Sequence, residues 1–447
     1  MYSFIGKMMR KQVTGKQFRR RGTVIPMAIR SVGLEKKLQA VMDQAVENCD
    51  VAGVNLLVEK DGEEVCYCQA GMADRERERP MDRDTIFRLY SQTKPITAAA
   101  AMILMERGQL DLCQPVADFL PSFSKQTYFA GEEGIGQSAA GGAGHKTDLQ
   151  GGFLSKGEKP VVQPMRVYDL LRMTSGMVYP DAMTASGRQA AAVFEEMDRR
   201  LFSKNAMTTR EVADKLAGCT LAFAPGSSWR YGTSADVLGA VVEVASGMKF
   251  GEFLEKELFG LLGMKDTAFW VPEDKQSRLA AAYEEVVEKG RKALVRYEGN
   301  HLDISNRMEK PPAFESGGAG LASTLDDYMC FARMLLGEGM GNGIRILMPS
   351  TVRYMIGAEL MKTQQAAFDQ WLGLEGFSYG NFMRICKNPG YACGLSREGE
   401  YGWDGWLGCY FANFPKEKMT LLIGIQKKDA GTFSLTRKLR NMVLAEL

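Results

Sequence analysis

The sequence predicts an α+β fold in which one antiparallel sheet, flanked by helices, is interrupted by an inserted, mainly helical domain. Strand-like patterns begin at Val51 and return only after Phe377. The residues between them carry mostly helical periodicity. A sheet assembled from both ends of the chain is the economical way to join these observations.

The elements follow in order. Residues 1–34 hold eight Lys or Arg and no acid. They lack the apolar core of a secretory signal, so they are expected to form a flexible basic head. VAGVNLLVEKDGEEVCYCQAG reads as two strands joined at Asp61-Gly62, a strong hairpin signal. Residues 91–107 read as a helix with Ile96, Ala99, Ala100, Ile103 and Leu104 on one face and Gly108 closing it. Residues 131–157 contain nine glycines and read as a flexible insert. Residues 161–290 look mainly helical. A helix is expected from Thr324 and another from Ser350. FSYGNFMRICKN, EYGWDGW, LGCYFANFP and MTLLIGIQK then supply strands, and a last amphipathic helix ends the chain. The expected division is 1–34 as head, 35–115 and 313–447 as the two parts of the sheet domain, and 116–312 as the helical domain.

Composition excludes several classes. Apolar residues make up 45% and charged residues 25%, which is ordinary globular usage. No run approaches the ~18–20 apolar residues of a membrane helix. Without its head the chain carries 48 bases against 54 acids, so the body is not a nucleic-acid surface by charge. Nine cysteines without CxxC spacing argue against structural zinc and fit a reducing cytoplasm. Cys66 and Cys68 fall in a strand, and their side chains are expected on opposite faces. No metal site or cofactor is implied. Gly134-Ile-Gly136 imitates a dinucleotide fingerprint but follows no strand. With only His145 and His301 present, a nucleophile here calls for a base other than histidine unless one of these serves.

Ser91-Gln92-Thr93-Lys94 is such an arrangement, an S-x-x-K at a helix start. Three residues along a helix bring Lys94 over Ser91. The positive end of the helix eases loss of the lysine proton. A second copy, Ser122 to Lys125, has no apolar helical pattern behind it. Tyr231, in PGSSWRYGTSADVLG, precedes a helix; beside a lysine its pKa is expected to fall, letting it shuttle a proton. In GWDGWLG, Trp403 and Gly405 share a strand face and Asp404 takes the other. Gly405 lets a substrate approach the backbone, so the next N–H can serve an oxyanion.

Together, FRLYSQTKP, PGSSWRYGTS and GWDGWLGCYF resemble the serine hydrolases related to class C β-lactamases, family VIII carboxylesterases and penicillin-binding DD-peptidases. VYDLLRMTSGM, LGMKDTAFWVP and ESGGAGLASTLDDYMCFARMLLGEGM agree with them. The resemblance spans roughly residues 45–445. It implies a β-lactamase/transpeptidase-like fold, Ser91 as nucleophile, Lys94 and Tyr231 as the proton-handling pair, and an oxyanion hole from the N–H groups of Ser91 and Trp406. Three departures stand out. Thr233 replaces the asparagine of Tyr-x-Asn and is expected to substitute for it in part. Trp403-Asp404-Gly405 replaces Lys-Thr-Gly, removing the lysine that would meet a β-lactam or D-Ala carboxylate. Met173 replaces a histidine and should affect packing more than chemistry. Asp404, facing the site, would repel a carboxylate. The resulting expectation is a cytoplasmic esterase for small acyl substrates, with no nucleic-acid partner and no membrane span. β-Lactamase, D-amino-acid peptidase and acyltransferase activities are the enzymatic alternatives, and a non-catalytic binding protein is the alternative of another class.

Overall fold

A computed structural model describes residues 27–130, 157–288 and 290–446. Its centre is an eight-stranded antiparallel sheet. The spatial order is Phe377–Gly380, Met383–Cys386, Tyr401–Asp404, Tyr410–Phe414, Met419–Ile425, Gly53–Lys60, Glu63–Asp74 and Arg79–Pro80. The two ends of the chain meet where Gly53–Lys60 pairs with Met419–Ile425, Val54 lying opposite Ile425. Both strands are buried on both faces along nearly their whole length, as suits the centre of a sheet covered on both sides. Asp61 and Gly62 turn the first hairpin with φ of +55° and +84°, the backbone that a two-residue turn of this hand requires.

Two helices, Met27–Glu47 and Ser434–Glu446, cover one face of the sheet through Leu34, Leu38, Met42, Leu439 and Val443. The helix therefore begins inside the segment expected to be a flexible head, and Leu34 is fully buried. Residues 1–26 and nearly all of the glycine-rich segment 131–157 lie outside the described residues.

The other face meets the helix Lys94–Glu106, which is buried along nearly its whole length. The helices Ala185–Arg200, Thr209–Ala217 and Ser234–Ser246 stack beyond it. Thr184 caps the first by accepting from Gly187 N, and Thr208 and Glu211 form a capping box on the second.

Two expectations need correction. The tract read as mainly helical holds a hairpin, Ala282–Glu288 with Arg291–Tyr297, whose Val- and Tyr-bearing alternation and Gly290 turn favour strands. Cys66 and Cys68 do not face opposite ways. Residues two apart in a strand share a face, and the two Sγ atoms lie 3.4 Å apart in the core under the first helix.

Candidate active site

The segment carrying Ser91 starts as a short 3₁₀ turn, Tyr90–Thr93, and continues as the helix Lys94–Glu106. Pro95 sits in its first turn, where a missing N–H costs nothing. Tyr90 takes a φ of +45°, a strained conformation for a bulky residue, immediately before Ser91.

Lys94 is completely buried. Its Nζ lies 3.1 Å from Ser91 Oγ, 3.0 Å from Tyr179 OH and 2.8 Å from the Gly318 carbonyl. It also sits 4.6 Å from the centre of the Tyr231 ring. Burial pushes its pKa down to about 7, against the attraction of Asp236 and Asp404. Asp236 is itself buried, accepting from Ser316 Oγ at 2.5 Å and Gly318 N at 3.0 Å. It thereby pins the turn whose carbonyl holds Lys94.

Tyr231 lies within hydrogen-bond reach of Ser91, and its hydroxyl accepts from Trp403 Nε1 at 3.0 Å. Its pKa is raised by burial, which outweighs the bonds from Ser91 and Trp403. The expected lowering is thus reversed: the hydroxyl keeps its proton and can only donate it or pass it on.

The strand Tyr401–Asp404, third in the sheet, supplies the opposite wall. A Cβ on Gly405 would come 2.1 Å from the Leu89 carbonyl. Its missing side chain therefore brings the strand end against the segment that carries Ser91, where a direct approach by substrate was expected. Trp406 is held on all sides. His301 stacks on its indole at 3.8 Å, Tyr90 and Tyr297 meet it edge-on, and its Nε1 donates to Asp429 Oδ1 at 2.6 Å. The Trp406 N–H has no acceptor among the described residues.

Thr233 does not reach this site. It is fully buried at the start of the helix Ser234–Ser246, and its Oγ1 has no hydrogen-bond partner among the described residues. Thr233 is absent from the lining of both cavities beside Tyr231, so it does not take over the role of the missing asparagine.

Two cavities flank Tyr231. The smaller, about 200 Å³, is lined by Ser91, Tyr231, Trp403, Asp404, Gly405 and Trp406 together with Arg384 and Arg437. The larger, about 590 Å³, runs past Tyr179, Phe194 and His301. Burial lowers the His301 pKa to about 4, so its imidazole is neutral at physiological pH.

The Beta-lactamase family model matches residues 38–443. The chain belongs to the Beta-lactamase family. Esterase EstB of Burkholderia gladioli is 29% identical over 429 residues, covering 93% of this chain and 96% of that protein. An uncharacterised Mycobacterium tuberculosis protein, MT1414, is 30% identical over 373 residues, covering 80% of this chain and 81% of that one. Among solved structures, EstCE1, a hydrolase with promiscuous acyltransferase activity, superposes with a TM-score of 0.73 at 23% identity. It covers 93% of this chain and all of that one. The β-lactamase/transpeptidase-like fold expected from the motifs is therefore the fold of this Beta-lactamase-family chain.

Motif reading missed Tyr179 and Asp236. Tyr179 lies in a loop without a pattern, 85 residues from the lysine it contacts. Asp236 looks like an ordinary acid in a helix first turn. His301 was noticed only as one of two histidines; nothing local predicts its stack on Trp406.

Proposed function

We propose that this Beta-lactamase-family hydrolase cleaves acyl esters through a Ser91 acyl-enzyme. The observation that carries the reading is the contact of Ser91 Oγ with a fully buried Lys94 whose pKa has fallen to about 7. A neutral amine has two N–H groups and one lone pair. Gly318 O and Tyr179 OH accept the two N–H groups, leaving the lone pair for the Ser91 proton. Ser91 Oγ then attacks the ester carbonyl while Lys94 takes that proton. The N–H groups of Ser91 and Trp406 stabilise the oxyanion. As the C–O bond breaks, the leaving alkoxide receives the proton through Tyr231, which the low-lying Lys94 replenishes. Water repeats the cycle on the acyl-enzyme, losing its proton along the same route and releasing the acid. Tyr179 joins the proton network on these distances.

Nine free cysteines support a reducing compartment such as the cytoplasm. Among the described residues no helix is long and apolar enough to cross a membrane. Acyl transfer to an alcohol is a second reading, supported by the room for an acceptor in the larger cavity.

The test is p-nitrophenyl acetate and butyrate hydrolysis by wild type and Ser91→Ala, with nitrocefin alongside. Ester turnover should fall roughly 10³–10⁴-fold in the variant, and a serine-directed phosphonate should label wild type alone. Nitrocefin turnover exceeding ester turnover would overturn the substrate class. Unchanged ester turnover in Ser91→Ala would overturn the nucleophile.

A further inference from the structure

The smaller cavity carries a cation that the catalytic reading leaves unused. Arg384 lies on Met383–Cys386, the strand paired with Tyr401–Asp404, and only 4% of it is exposed. Its Nη2 donates to the Phe411 carbonyl at 3.2 Å, and its guanidinium sits 4.7 Å from the centre of the Tyr410 ring. No carboxylate lies within 4.0 Å of it among the described residues. Yet it lines the cavity that holds Ser91. A guanidinium taken this far out of water without an ion-pair partner is costly unless something anionic completes it.

A second guanidinium, Arg437, faces the same cavity from the C-terminal helix, donating through Nη1 to Thr432 O at 2.7 Å. Among the described residues the one acid on the lining is Asp404. Its carboxylate accepts from Thr432 Oγ1; burial raises its pKa, and the attraction of Arg384 opposes that rise. Two cations against one anion leave room for a single further negative charge. The larger cavity has the opposite balance: Asp181, Glu195, Asp198 and Asp303 line it, with Arg230 already paired to Asp181 at 2.9 Å.

We propose that the cavity beside Ser91 is a subsite for a substrate carboxylate, held by Arg384 with help from Arg437, so that the preferred esters carry one carboxylate. This rests on the reading of Ser91 as nucleophile, and it reverses the expectation that Asp404 turns carboxylates away. The cation that answers the carboxylate comes from the neighbouring strand. The volume of about 200 Å³ suits a short or aromatic acid, and the planar fork of arginine suits a carboxylate.

Two measurements test it separately from the nucleophile. Trp371, Trp403 and Trp406 line the cavity, so benzoate binding should change tryptophan fluorescence. Arg384→Met should weaken that binding at least tenfold, Arg437→Gln about threefold, and Arg384→Lys should recover part of the loss. Arg437 is exposed, so its variant guards against misfolding at Arg384. The second measurement compares neutral and carboxylate-bearing ester pairs: phenyl acetate against 3-acetoxybenzoate, and p-nitrophenyl butyrate against mono-p-nitrophenyl glutarate. In at least one pair the anionic-to-neutral ratio of kcat/KM should exceed one and fall at least tenfold in Arg384→Met. That pair identifies the half of the ester in the cavity. No benzoate binding, or binding indifferent to both arginines, would overturn the subsite even if Ser91→Ala abolishes hydrolysis. Arginine-dependent benzoate binding with hydrolysis unchanged in Ser91→Ala would leave the subsite standing and remove the nucleophile reading.

Discussion

The two walls of the active site are built by opposite means. The wall carrying Ser91 and Lys94 is polar; Lys94 is fully buried and Ser91 partly, and hydrogen bonds to distant segments fix the lysine. The wall at Tyr401–Asp404 and Trp406 is aromatic. Rings of Tyr90, Tyr297, Tyr379 and His301 pack around its two tryptophans, whose indole N–H groups are given to Tyr231 and Asp429. The first wall sets a protonation state, because burial decides whether Lys94 is charged. The second sets a position, because stacked rings resist displacement without titrating in the working range. Perturbing the first should change chemistry and pH dependence, whereas perturbing the second should change rate without moving the pH profile.

The sharpest break is Lys94→Met. Hydrolysis should fall roughly 10²–10⁴-fold, the range for removing a general base. In wild type, kcat/KM should rise with pH through about 7 as the amine loses its proton. The same group costs stability. Between about 7 and the ordinary lysine value of 10.5, the unfolded chain holds a proton that the folded chain does not, so wild-type stability rises with pH across that window. Below it, the folded protein bears the whole cost of a buried charge. Lys94→Met should therefore raise the denaturant midpoint, and more at pH 6 than at pH 9. A lower midpoint at pH 6 would mean that the contacts to Gly318 and Tyr179 outweigh desolvation.

Trp403→Phe probes the other wall. It keeps a ring among Tyr231, Trp371 and Tyr379 but deletes the indole N–H given to Tyr231. One neutral hydrogen bond is worth about 1 kcal/mol, so kcat should drop about 5- to 10-fold. The acid limb of the pH profile should stay in place. A limb that moves by a full pH unit would show that the aromatic wall also governs the charge on Lys94, and the division between the walls would fail.

How much of each wall was legible follows from the range of its contacts. Ser91 and Lys94 declare themselves because three residues of helix bring them together. The hairpin at Asp61-Gly62 and the helix at Thr324 are legible for the same reason, since local turn chemistry and capping fix them. Tyr179, Asp236 and Gly318 act together only after a long excursion of the chain, and none carries a local signature. Arg384 was invisible for a different reason. In a strand sequence such as FMRIC, an arginine reads as a solvent-facing residue, and only the fold shows it buried beside a cavity. The Tyr231 pKa was misjudged because proximity to a lysine is legible, but the depth of burial that overrides it is not.

The smallest expected effect lies at Thr233, which sits at neither wall although its place in the motif suggests the first. Its hydroxyl is buried with no hydrogen-bond partner among the described residues, so replacing it with the isosteric Val removes an unsatisfied polar group and keeps the shape. Leaving such a group unpaired costs about 1–3 kcal/mol, which Thr233→Val should return as stability, less what the hydroxyl retains through unmade weak contacts. Ester hydrolysis should stay within about twofold, since the residue touches neither Ser91 nor the cavities. Thermal unfolding and p-nitrophenyl butyrate turnover, measured on one preparation, decide the matter. Higher Tm with unchanged turnover places Thr233 behind the site as packing. Turnover reduced tenfold would show that the hydroxyl reaches the substrate during the reaction, and the polar wall would then include the residue that the motif first suggested.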